Sequence, residues 1–126
     1  MRLTLFAAFG GAVGSVARYL TVSAAVRLFG TDFPWGTFGV NLLGSFAIGA
    51  IMAAISGWFG GSNDLRVLLV TGFLGGFTTF SAFSFEMLQL IERKAFIAAF
   101  LYAGGSVGLS LVAVTIGYAA IKAVAA

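Results

Sequence analysis

Apolar positions in this 126-residue chain fall into four long runs, separated by short breaks rich in Gly, Asp, Arg and Lys. The runs extend over about Leu3 to Leu28, Phe38 to Phe59, Leu65 to Ile91 and Ala95 to Val124. A helix needs about 20 mostly apolar residues to cross the hydrocarbon of a bilayer, and each run is long enough. The pattern therefore predicts an all-α integral membrane protein with four transmembrane helices. The breaks carry turn chemistry. "GTDFPWG" holds the only proline, Pro34, next to Trp35 as an interfacial anchor. "GWFGGSND" sets Trp58 among glycines, and Asn63 or Asp64 is expected to cap the third helix. "IERK" is a short charged turn. Connections this brief leave one domain, residues 1–126, with no soluble module.

Inside the runs, small and polar residues recur at helical spacing. Helix 1 has Gly10, Gly14 and Arg18, each four residues apart, a pattern that lets another helix approach closely. Helix 2 places Thr37, Asn41, Ser45 and Gly49 on one face. Helix 4 places Tyr102, Ser106 and Ser110 on another, beside Gly104, Gly105 and Gly108. The third run contains "TGFLGGFTTFSAFSFE", Thr71 to Glu86. Gly72, Gly75 and Gly76 followed by Thr78 and Thr79 are poor helix formers, so a break is expected near residues 75–79. Interrupted helices persist at bilayer depth only where protein or a polar cavity surrounds the freed backbone. Freed carbonyls suit a cation, and freed N–H groups suit an anion.

Composition narrows the chemistry. Hydrophobic residues make up 60% and charged residues 9%, far below the roughly one quarter charged in soluble domains. Cys and His are both absent, which excludes disulfides and thiolate or imidazole metal sites. The four acids, Asp32, Asp64, Glu86 and Glu92, are too scattered for a carboxylate cage. The net charge of +3 sits mostly at helix ends and forms no basic stripe, so it reads as membrane anchoring, not nucleic-acid binding. Arg2, the following apolar run and "SVA" before Arg18 mimic a secretory signal, but the glycine pattern continues through that supposed cleavage site. Four crossings place Arg2, Arg66 and Lys122 on one side and Arg27, Arg93 and Lys94 on the other. This balance gives no preferred orientation and favours insertion in both directions, with pairing as an antiparallel dimer.

Hydrogen-bond donors without accompanying acids suit an anion whose hydration they replace; a water path or interhelical glue is the plainer reading. Arg18, past the middle of helix 1, has two readings of equal weight. One is snorkelling or pairing with Glu86, and the other is a positive vestibule for anions. Phe77, Phe80 and Phe83, at three-residue steps, fit core packing, yet the positive edges of aromatic rings also fit a small anion.

Across nearly the whole length the sequence resembles the Fluc-type (CrcB) fluoride channels. The likeness lies in "GGAVGSVARY", "WGTFGVNLLGSFAIG" and above all "GFLGGFTTFSAFSFE". The resemblance implies a dual-topology antiparallel homodimer with two oppositely oriented fluoride pores in a bacterial inner membrane. It implies a structural sodium ion at the dimer centre, held by backbone carbonyls that correspond to Gly75 and Thr78. The pore phenylalanines correspond to Phe80 and Phe83, and the pore asparagine to Asn41. Hydroxyls of the polar track correspond to Thr79, Ser81, Tyr102, Ser106 and Ser110. Arg18 and Thr37 fall at the vestibule, and Glu86 matches a glutamate to which the resemblance assigns no role. Ala82 stands where the family often has Thr or Ser, which removes one hydroxyl from the helix-3 part of the track.

Two other classes compete. A small proton-coupled multidrug exporter shares the size and dual topology but relies on a membrane-embedded Glu in helix 1, where this chain has none. The other is a passive anchor subunit of a larger complex, which purification as a stable homodimer with no partner would weigh against. Catalysis has little support, since no base lies beside a nucleophile at helical spacing.

Overall fold

The computed structural model describes residues 1–126, and every regular element in it is helical. Helix α1 runs over Arg2–Phe29 and α2 over Trp35–Trp58. The third crossing, Asn63 to Glu92, is built from pieces. A single turn α3 (Asn63–Leu65) leads into a π-helix at Arg66–Leu74, then a turn α4 (Gly75–Phe77), and after two extended residues comes α5 (Phe80–Glu92). The last crossing is α6 (Phe96–Ala125). All four crossings are long and apolar enough to span a membrane.

Local chemistry sets the boundaries. Pro34 is the N-cap of α2, so Trp35 opens that helix instead of belonging to the loop; proline has no N–H to leave unsatisfied there. The turn after α2 uses Gly60 and Gly61 with φ of +63° and +72°, a region that disfavours any side chain. The third crossing is capped by Ser62, whose hydroxyl accepts from the Leu65 N–H at 3.3 Å. The cap expected at Asn63 or Asp64 is therefore corrected: Asn63 instead accepts from Arg66, and Asp64 bonds Arg2 at 3.3 Å. That ion pair brings the start of α1 beside the start of the third crossing, at the same end of the bundle.

Glycines determine how the helices meet. A Cβ at Gly10 or Gly14 would collide with the carbonyls of Leu68 and Phe73, and one at Gly76 would lie 2.5 Å from the Gly11 carbonyl. α1 and the first half of the third crossing thus touch backbone to backbone, the use of small residues that membrane helices favour where apolar burial gives no drive. α2 and α6, the most extensive helix pair, meet in the same way, Gly49 on the Val114 carbonyl and Gly117 on the Phe46 carbonyl. Only α5 stands apart, leaning on α6 and more lightly on α2. The single chain buries 16 of its 126 residues, so most of its large apolar side chains face outward.

Candidate functional site

The site begins where the third crossing loses its helical backbone. Thr78 (φ −90°, ψ 159°) and Thr79 (φ −154°, ψ 123°) are extended. The Thr78 N–H and hydroxyl both donate to the Leu74 carbonyl, at 2.9 and 2.8 Å. The Thr79 N–H donates to Asn41 Oδ1 at 2.8 Å, and Asn41 Nδ2 donates back to the Thr79 carbonyl at 3.0 Å. Arg18 Nε donates to the Gly76 carbonyl at 2.9 Å. A helix interior leaves no such groups free, and in hydrocarbon each would cost several kcal/mol unpaired, as an order of magnitude. α5 then restarts with Thr79 as its N-cap, the hydroxyl accepting from the Ala82 N–H at 3.1 Å.

These bonds sort the carbonyls of the break. Those of Gly76 and Thr79 are engaged by Arg18 and Asn41. In an unbroken helix the Gly75 carbonyl would receive the Thr78 or Thr79 N–H, but both go elsewhere, and no N–H reaches the Thr78 carbonyl. Gly75 is exposed on the chain surface. Uncharged, donor-free oxygens of this kind are the ligands an alkali cation takes from a backbone. The two residues fit the sodium site that the resemblance implies.

Beside the break lies a cavity of about 400 Å³ between α2, α5, α6 and the end of the π-helix. Asn41, Thr79, Phe80, Phe83, Ser106 and Ser110 line it, with Ser45, Gly75 and Thr78. Several hydroxyls elsewhere in the bundle bond back to their own helix, Thr21 to Ala17, Ser84 to Phe80 and Thr115 to Leu111. Ser106 does not. Its Oγ is buried and has no partner within the chain. Phe80 and Phe83 lie with ring centroids 5.6 Å apart, and Phe83 sits 5.0 Å from Tyr102. Phe77 belongs elsewhere, stacked on Phe73 at 5.8 Å, so the break divides the phenylalanine series.

Five predicted residues, Ser81, Tyr102, Thr37, Glu86 and Arg18, lie outside this cavity. Ser81 is exposed, its hydroxyl 3.4 Å from that of Thr79. Tyr102 is fully buried and donates to Glu86 Oε1 at 3.0 Å, while Thr37 donates to Glu86 Oε2, also at 3.0 Å. Glu86 is thus clamped by α2 and α6 together, an arrangement that spacing alone does not reveal. The Arg18–Glu86 pairing is corrected by the same geometry: the two residues form no ion pair or hydrogen bond, and Arg18 reaches the break instead. Glu86 and Thr37 line a second cavity of about 640 Å³, at the loop of residues 30–34 and the start of α2, with Trp35, Gln89 and Arg93. Arg18 lines neither cavity. Phe83 faces the first cavity and Glu86, almost one helical turn on, the second.

Four apolar crossings, an interrupted third one and a cavity lined by hydroxyl and aromatic groups define a small multi-pass membrane protein whose polar interior carries no cluster of metal-binding side chains. Comparison with known proteins gives the family. Residues 5–118 match the family described as CrcB-like protein, Camphor Resistance (CrcB), and the chain belongs to it. Among relatives, it is 51% identical over 121 residues to the fluoride-specific ion channel FluC of Rhizobium johnstonii, covering 96% of this chain and 97% of that one. It is 52% identical over 118 residues to the protein of the same name from Rhizobium etli, covering 94% of each. A third relative of that name, from Chelativorans sp., is 52% identical over 108 residues, covering 86% of each.

Proposed function

We propose that the chain is a passive fluoride-selective ion channel of the bacterial inner membrane, which lets fluoride leave the cytoplasm and so lowers its toxicity. The observation that carries this reading is a cavity lined by Ser106, Ser110, Phe80 and Phe83, in whose wall the Ser106 hydroxyl is buried without a partner. Fluoride is small and tightly hydrated, so a pore must offer donors in place of water. Hydroxyl protons and phenylalanine ring edges do so without a fixed positive charge, and binding stays weak enough for release. α5 adds its N-terminal end, the positive pole of the helix, beside Phe80. An interior-negative potential drives an anion outward by about 2.3 kcal/mol per 100 mV, so no energy coupling is needed. Glu86 has both carboxylate oxygens occupied by hydroxyl donors, which argues against the proton-coupled exporter.

The functional unit in this reading is an antiparallel homodimer with two pores. Phe80 is 78% exposed in the single chain and the cavity it lines is open, which is consistent with a second, inverted copy closing it. Sodium at the dimer centre, on the Gly75 and Thr78 carbonyls of both copies, would staple the two breaks together. The test is fluoride efflux from liposomes, with chloride run in parallel. Gel filtration checks the dimer, and elemental analysis in sodium-free buffer checks for one sodium per two chains. Trapped fluoride, or a monomer without sodium, counts against the respective part.

A further inference from the structure

We propose that Ser45 contacts the permeating ion and forms the α2 wall of a hydroxyl track whose other wall is Ser106 and Ser110 on α6. The inference rests on the fluoride-channel reading but concerns a residue to which the resemblance assigns nothing. Ser45 lines the same cavity as the two α6 serines, and its hydroxyl makes no hydrogen bond within the chain. The other cavity hydroxyls are less free: Thr78 donates to Leu74, and Thr79 caps α5.

Asn41 cannot supply the whole α2 side. Its amide oxygen accepts from the Thr79 N–H and its nitrogen donates to the Thr79 carbonyl, which leaves one N–H. Ser45 lies one helical turn further along the same face, so it is the next donor an ion meets on α2. One turn beyond, Gly49 rests on the Val114 carbonyl, and Gly117 of α6 rests on the Phe46 carbonyl. Contact of backbone on backbone at both places fixes the separation of the two walls. Donors on two rigid walls hold a small ion from both sides, whereas a single wall leaves half of its lost hydration unreplaced.

Fluoride efflux from liposomes tests this with the wild type, Ser45→Ala, Ser45→Cys and a control, Ser84→Ala, whose hydroxyl is already bonded to the Phe80 carbonyl. Loss of a hydrogen bond to an ion predicts a flux about tenfold or more below wild type for Ser45→Ala, with half-saturation moved to higher fluoride. Ser84→Ala stays near wild type. Ser45→Cys, nearly isosteric with a weaker donor, falls between and covers the case in which the alanine variant does not assemble. Wild-type flux and half-saturation in Ser45→Ala, or in the cysteine variant if alanine aggregates, overturn the role of Ser45 while leaving the channel reading intact. A wild-type protein that passes no fluoride overturns both.

Discussion

Asn41 on α2 holds both backbone groups of Thr79, accepting its N–H at 2.8 Å and donating to its carbonyl at 3.0 Å. A side-chain amide here stands in for the neighbouring peptide that an unbroken helix would supply. Asn41→Ala should orphan both groups, at about 1–3 kcal/mol for each. The expected outcome is a markedly lower thermal midpoint in detergent and a loss of fluoride flux greater than that of Ser45→Ala. Asn41→Asp tests the donor alone, because a carboxylate accepts from the Thr79 N–H but repels the Thr79 carbonyl. If both variants melt with the wild type, the amide is not what holds the break.

The clamp on Glu86 yields a second expectation. Tyr102→Phe keeps the ring against Phe33 and Phe83 but leaves one carboxylate oxygen without its donor. Hydrogen bonds to charged groups contribute about 1.5–3 kcal/mol, so stability should fall by that order. Glu86→Gln presents an amide to two hydroxyls and should weaken the same contact. In a double-mutant cycle the two changes should couple by about 0.5–3 kcal/mol. Additive effects on the thermal midpoint are the result to look for if the clamp is unimportant.

The crossings were legible in the sequence because bilayer thickness fixes how long an apolar run must be. Their ends were less so: α2 starts at Trp35 and not Phe38, since Pro34 is itself a good helix opening. The polar stripes were legible as faces, but not as partners. Thr37, Asn41, Ser45 and Gly49 share one face of α2 and meet four different things: a carboxylate, a broken backbone, a cavity and a helix. A four-residue spacing says which side chains align along a helix and nothing of what crosses it at each level. The clamp on Glu86 joins residues 49 and 16 positions away from it, beyond any local pattern. The π-helix at Arg66–Leu74 left no signal either, because its residues suit an α-helix equally well.

Glycines that look alike in sequence should respond in opposite ways. Gly14→Ala places a methyl against the Phe73 carbonyl and must separate α1 from the third crossing. Overpacking of this kind costs about 1–3 kcal/mol or more. At Gly104 nothing lies within 4 Å of the added Cβ, so Gly104→Ala should be neutral or stabilise its helix by about 0.5–1 kcal/mol. Thermal unfolding of the two purified variants separates the cases. A Gly14→Ala protein as stable as Gly104→Ala would contradict the close approach of the two backbones.

Phe80 offers the sharpest separation of folding from function. It is 78% exposed, and its one aromatic neighbour within the chain is Phe83, so the fold of a single copy depends little on it. A ring there is explained by what it presents to the cavity. Phe80→Ile preserves apolar bulk and removes the positive ring edge, the feature that lets an uncharged side chain face an anion. The variant should assemble and melt close to the wild type, yet pass fluoride at a small fraction of the wild-type rate. Efflux measured beside gel filtration distinguishes the outcomes. Wild-type flux from the isoleucine variant would leave the hydroxyls of α2 and α6 to replace hydration alone, and would remove the aromatic edge from the proposed route.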